Sequence, residues 1–136
     1  MTDAILVLNA GSSSLKFAVY PAASGEPTAI LRGKIAGIGT APVFSARDAR
    51  GQALPPEAAM PLDCDRGHDA LIPDLLDWLE THRGGVTIAA AGHRVVHGGR
   101  NCTGPARITD ALLADLEALV PLAPLHQPHN LAAIRC

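Results

Sequence analysis

The stretch Asn9-Ala10-Gly11-Ser12-Ser13-Ser14-Leu15-Lys16 gathers an amide side chain, a glycine, three hydroxyls and a lysine. A tight turn of that composition offers backbone N–H groups and Oγ atoms to an anion, and Lys16 adds a point charge nearby. Asn9 can hold a metal-bound water or a phosphate oxygen without adding negative charge. The chain has only Lys16 and Lys34 as lysines, which makes the placement of Lys16 more pointed. Asn, Gly and Ser also dominate ordinary turns, so a plain hairpin fits the same residues. The segment has neither the GxxxxGK[ST] pattern and following helix of a Walker A loop nor a Rossmann fingerprint.

A second group is Gly92-His93-Arg94-Val95-Val96-His97-Gly98-Gly99. A guanidinium presents a planar fork of donors suited to a carboxylate or phosphoryl group, so Arg94 is a candidate anion ligand. Val95 and Val96 can line a small apolar pocket beside it, and Gly98-Gly99 permits close backbone approach. The competing reading is a surface salt bridge flanked by structural histidines. His93 and His97 have the spacing of a helical metal site, but Arg stands where HExxH needs Glu and the valines favour strand, which argues against zinc. His126 and His129 flank Pro128; either structural roles or hydrogen-bond donation to an anion by His126 fits. The acidic pairs Asp63 and Asp65, Asp74 and Asp77, and Asp115 and Glu117 are assigned no chemistry, the latter two reading as solvated helix faces.

The elements that must hold these groups follow from periodicity. Ala4 to Leu8 is a short apolar run rich in β-branched residues, read as a buried strand entering the Ser-rich turn. Leu15 to Tyr20 is a second strand with Leu15, Phe17 and Val19 on one face. Thr28 to Ile38 is a third, breaking up at Gly37 and Gly39. Val43 to Arg47 and Gln52 to Leu54 flank Asp48-Ala49-Arg50-Gly51 as a hairpin. Pro55 to Pro61 is a loop. Leu71, Ile72, Leu75, Leu76 and Leu79 have helical spacing, with Pro73 expected in the first turn or at a kink and Gly84-Gly85 at the end. Val86 to Ala91 reads as another buried strand, leading into Arg94. Leu112, Leu113, Leu116, Leu119 and Val120 mark a helix capped by Thr109 or Asp110, and Pro128 suits the first position of a last helix. The succession is a mixed α/β pattern.

Composition sets the outer limits. With 136 residues, 48 % hydrophobic and 18 % charged, the chain can bury a core, which excludes extended disorder. Aromatic content of 3 % and a net charge of −2 at pH 7 give neither a base-stacking surface nor a basic field for nucleic acid. Cys64, Cys102 and Cys136 are odd in number and form no CxxC pair, which reads as reduced thiols of a cytoplasmic protein. No stretch reaches membrane-spanning length and no signal-peptide core is visible. A helix begun at Pro128 and left at Cys136 is expected to belong to a longer protein.

Taken in order, Val7 to Lys16, Gly92 to Gly99 and Pro121-Leu122-Ala123-Pro124-Leu125-His126 together resemble the acetate/propionate kinase family. The family belongs to the actin-like ATPase and sugar kinase group, so the resemblance implies a ribonuclease H-like α/β fold with two domains closing over ATP. It further implies transfer of the γ-phosphoryl of ATP to acetate or propionate, with Mg²⁺, in a cytoplasmic homodimer. By position, Asn9 resembles the magnesium-site residue, and Ser12, Ser14 and Lys16 the phosphate contacts. Arg94 resembles the substrate-carboxylate arginine, Val96 and Leu125 the pocket for the acyl group, and His126 the histidine beside the phosphoryl path. Gln127 departs from the asparagine common after that histidine. The family's catalytic aspartate, a further histidine and arginine, the adenosine site and the metal-binding glutamate correspond to sequence beyond Cys136. Residues 1–136 are therefore expected to be the N-terminal portion of a two-domain kinase without its nucleotide-binding domain, inactive alone. The alternatives are a non-catalytic anion- or carboxylate-binding or oligomerisation module, and an inert piece of a partial gene.

Overall fold

The computed structural model of the chain describes residues 3–22, 28–62, 67–82, 85–95, 98–99, 104–122, 124 and 127–135. The three cysteines, Asp63, Asp65 and His97 lie outside the described residues.

Side-chain alternation builds the first hairpin. β1 (Asp3–Ala10) and β2 (Ser14–Pro21) are antiparallel, with Leu6 opposite Val19, Leu8 opposite Phe17 and Ala10 opposite Leu15. Leu15, Phe17 and Val19 face the core as their spacing predicts, together with Ala4, Leu6, Leu8 and Ala10. The apolar run of β1 is buried on that face alone: Ile5 and Val7 point the other way and are 38 % and 37 % exposed. β3 (Leu31–Ala36) pairs with β2 and is shorter than Thr28 to Ile38. It ends before Gly37, whose φ of +70° and tight approach to the Ala41 carbonyl require glycine. β4 (Val43–Asp48) pairs with β3, and Asp48 Oδ1 accepts the Arg50 and Gln52 N–H groups at 2.9 and 3.0 Å to close the expected hairpin. The returning strand is reduced to a single bridge between Ala53 and Arg47.

α1 (His68–His82) lays Leu71, Ile72, Leu75, Trp78 and Leu79 on the inner face of the sheet. Pro73 lies inside this helix, past its first turn, contrary to the first-turn placement. A proline there removes one helical hydrogen bond. Burial of the apolar stripe at roughly 1.5–3 kcal/mol per large side chain outweighs that loss. Phe17 sits 5.9 Å from Trp78 and 6.1 Å from Phe44, ring centroid to ring centroid, and Trp78 Nε1 donates to the Ala58 carbonyl at 2.8 Å. Ala58 closes a 3₁₀ turn, Pro56–Ala58, within the segment read as loop.

β5 (Thr87–His93) runs parallel to β1 and completes the order β4-β3-β2-β1-β5. The sequence reading of this strand as buried is corrected: Ala89, Ala90 and Ala91 are exposed, because β5 is the edge of the sheet. α2 (Asp110–Glu117) is capped by Thr109, whose Oγ1 accepts the Leu112 N–H at 3.1 Å. Leu119 and Val120 fall past its end, Val120 in a 3₁₀ turn, Val120–Leu122. α3 (Gln127–Arg135) has Pro128 as its second residue, still within the first turn where a missing N–H costs nothing. Gln127 is fully buried and its Nε2 donates to the Leu116 carbonyl at 3.1 Å, tying α3 to α2. Arg135 pairs with Glu117, so that acid is engaged rather than simply solvated. Ala133 of α3 joins the core that α1 forms with the sheet, whereas Lys16, Arg32, Lys34 and Arg47 stand exposed on the other face.

Candidate functional site

The Ser-rich turn joins β1 to β2, with Gly11 N–H donating to the Ser14 carbonyl at 2.8 Å. Ser12 and Ser13 stand exposed at its tip. A Cβ on Gly11 would come 3.0 Å from Ser14 Oγ, so the glycine lets that hydroxyl fold over the backbone. Three carbonyls of the turn and its flanks accept hydrogen bonds from the surrounding structure. Ala10 O accepts from Asn130 Nδ2 at 2.7 Å, Ser13 O from Ile38 N–H at 2.9 Å, and Ser14 O from His68 Nε2 at 3.2 Å as well as from Gly11. The N–H groups and hydroxyls of Ser12 and Ser13 have no acceptor among the described residues, which leaves donors at the tip for an anion.

Asn9 and Lys16 are directly opposite each other across β1 and β2, on the outer face. They line an open cleft of about 420 Å³ together with Arg32, Lys34, Ser45 and Arg47. Lys16 faces Lys34, and Arg32 faces Arg47, across neighbouring strands. Like charges so placed repel, and among the described residues no carboxylate lines the cleft to compensate, so the field there favours an anion. Arg32 lies over the Tyr20 ring at 5.7 Å and Arg47 Nη1 donates to the Gly51 carbonyl at 2.8 Å. Lys16 and Lys34 have no described acceptor.

Arg94 follows β5, and its backbone N–H donates to the Leu8 carbonyl at 3.1 Å, carrying the parallel ladder to the residue before Asn9. The arginine is exposed and lines a second cavity of about 410 Å³ with His93, Val95, Pro105, Ile108 and Leu112. Val95, expected from sequence beside Arg94, lines this cavity; Pro105, Ile108 and Leu112 were not foreseen, and Leu112 reads in sequence only as part of a helix stripe. Burial holds His93 below the usual imidazole range, and its Nδ1 has no partner among the described residues. Among the described residues that line the cavity, Arg94 carries the permanent charge.

The structure thus brings Asn9 and Lys16 into one cleft and Arg94 into a neighbouring cavity, the two joined through Leu8. Ser12 is at the turn tip and Ser14 at its base. Val96, Leu125 and His126 lie outside the described residues. Among the described residues no group of three or more His, Cys, Asp or Glu could hold a metal. Asn9 supplies a neutral oxygen beside a lysine, so it fits Mg²⁺ only as one contact to an ion held chiefly by phosphate oxygens and water. Sequence reasoning missed His68 and Asn130, whose contacts with the turn span 54 and 120 residues.

A five-stranded mixed sheet with an anion-receptive hairpin turn beside the end of a parallel strand is the arrangement of an actin-like ATPase domain, ribonuclease H-like in its α/β layout. Within that class the assignment is specific: the model of the Acetokinase family matches residues 4–136, and the chain belongs to that family. It is 43 % identical to an acetate kinase of Rhodopseudomonas palustris over 98 % of this chain and 33 % of that protein. It is 38 % identical to a propionate kinase of Citrobacter rodentium over 98 % of this chain and 32 % of that one. The crystal structure of a propionate kinase from Francisella tularensis superposes with a TM-score of 0.80 at 30 % identity, covering 98 % of this chain and 33 % of the other. That of Porphyromonas gingivalis acetate kinase gives 0.78 at 29 %, with the same coverage. The chain spans about a third of the length of these relatives.

Proposed function

We propose that residues 1–136 supply the phosphate turn and the carboxylate arginine of a kinase that transfers the γ-phosphoryl of ATP to acetate or propionate, giving an acyl phosphate and ADP. The observation that carries this reading is the Arg94–Leu8 backbone hydrogen bond, which seats the arginine cavity one residue from Asn9 and the anion-receptive turn. Phosphoryl transfer needs positioning and charge neutralisation more than covalent chemistry. Arg94 would hold the carboxylate with its methyl or ethyl group against Val95, Ile108 and Leu112, and the family resemblance would add Val96 and Leu125 to the acyl pocket. Ser12, Ser14 and Lys16 would face the phosphates, His126 would stand beside the phosphoryl path, and Asn9 would contact the Mg²⁺ that arrives with ATP. A second, nucleotide-binding domain, a homodimer and a cytoplasmic setting are part of this proposal. Among the described residues no helix is long and apolar enough to cross a membrane.

The test is a chimera in which residues 1–136 replace the matching third of the Rhodopseudomonas palustris acetate kinase. It should form acetyl hydroxamate from acetate, ATP and hydroxylamine, and Arg94→Ala should lower that rate at least a hundredfold, the usual scale for loss of a charged group facing the transition state. An active chimera indifferent to Arg94→Ala would refute the assignment. The isolated chain should show almost no turnover. A reading as a binding module alone draws on the presence of both half-sites in one small unit. Acetate binding lost in Arg94→Ala, with an inactive chimera, would favour it.

A further inference from the structure

Beyond the last paired residues, Ala10 and Leu15, the hairpin closes through the four residues Gly11–Ser14, none of them with positive φ. The turn is therefore not a primed two-residue type. Two buried side chains from the helices reach its two ends. Asn130, 1 % exposed on α3, donates its Nδ2 to Ala10 O at the exit of β1. His68, 5 % exposed at the start of α1, meets Ser14 O at the entry of β2. A carbonyl can only accept, so this contact fixes His68 as the tautomer with hydrogen on Nε2. The His68 ring is stacked on His129 at 4.2 Å, so α3 supports both ends of the turn.

We infer that Asn130 and His68 are positioning residues for the phosphate turn. They hold its carbonyls inward at the two ends, so that the donors of Ser12 and Ser13 point outward before any ligand arrives. The inference rests on the proposed phosphate role of that turn for its purpose, and on the two hydrogen bonds for its mechanism. Preorganisation of this kind raises affinity because a binding-competent conformer that is only partly populated weakens apparent binding in proportion.

The experiment has two arms on the 136-residue chain. In the free chain, hydrogen exchange is followed at the Gly11 and Ile38 amides, which bond to Ser14 O and Ser13 O, with the remote Gly51 amide, bonded to Asp48 O, as reference. Asn130→Asp removes the donor, and His68→Phe keeps a ring against His129 without one. Each should lower protection at Gly11 and Ile38 about tenfold, the scale of one lost hydrogen bond, and leave Gly51 alone. His68→Gln, which retains an N–H donor, should restore protection. In the second arm inorganic phosphate is titrated while the Ser12 and Ser13 amide shifts are read, and the same two variants should bind about tenfold more weakly. Unchanged protection at Gly11 and Ile38, or an equal fall at Gly51, overturns the positioning role. Absence of any phosphate-induced shift in the unmodified chain refutes the phosphate reading instead, and the exchange arm still decides whether the turn is clamped. If Asn130→Asp does not fold, His68→Phe and His68→Gln carry both arms.

Discussion

Replacing Gly33 by alanine should destabilise the chain through one identifiable ring. Gly33 is opposite Phe17 in the β2–β3 register. A Cβ there falls far inside van der Waals contact of Phe17 Cζ and Cε1, and 3.0 Å from Cε2. A free side chain would swing aside, but this ring is stacked on Phe44 at 6.1 Å and meets Trp78 edge-on at 5.9 Å. Overpacking of that kind costs about 1–3 kcal/mol. The gain from a stiffer unfolded chain, about 0.4–1 kcal/mol, is the smaller term. The net loss, up to about 2.6 kcal/mol, corresponds to a fall in Tm of up to about 10 °C for a chain of this size. Urea unfolding followed by fluorescence reports it directly, since Trp78 is the single tryptophan and lies in the cluster. In a Phe17→Leu background the ring is gone, and Gly33→Ala should then cost less than about 0.5 kcal/mol, leaving a coupling of about 1 kcal/mol or more. Equal costs in both backgrounds would show that the ring contact is not the cause.

Two further outcomes follow from the site. His93 has its pKa lowered by burial, so the unfolded chain takes up a proton first as pH falls. Stability from this group is whole above about pH 6.5, the ordinary imidazole value, and declines below it. His93→Gln should flatten that acid limb of the urea midpoint against pH, and an unaltered limb would dismiss the assignment. Lys34→Glu places an acid opposite Lys16, which should raise stability by about 0.2–1 kcal/mol while weakening phosphate binding severalfold at low salt. Calorimetry in 20 mM and 500 mM salt checks it, and unchanged phosphate affinity at low salt would remove the cleft from the site.

What could be read from sequence divides along physical lines. Leu15, Phe17 and Val19 alternate with Lys16, the small Ala18 and Tyr20, so their shared face was legible. Ala4 to Leu8 is apolar at every position, and such a run does not say which face is buried. Val86 to Ala91 looked interior for the same reason, yet its alanines are exposed because the edge position of β5 is a property of the whole sheet. Of the two places open to Pro73, the first turn or a kink, the first is ruled out because the helix begins at His68. Asn9 to Lys16 was legible as a candidate site because its donors are contiguous, and Arg94 because it follows a strand. His68 and Asn130 were not, since they reach Ser14 and Ala10 across 54 and 120 residues and only the packing of α1 and α3 brings them there.

The order of the strands gives the sheet a direction of growth. β4 ends one side and carries Arg47 and Asp48, charged residues of the kind that discourage a further strand from pairing. β5 ends the other with Thr87-Ile88-Ala89-Ala90-Ala91-Gly92, uncharged and with its alanines open to solvent. By this measure the β5 side is the edge better suited to take a further strand. The edge that admits it lies next to β1, so sheet extension and the arrangement of Leu8, Asn9 and Arg94 share one boundary.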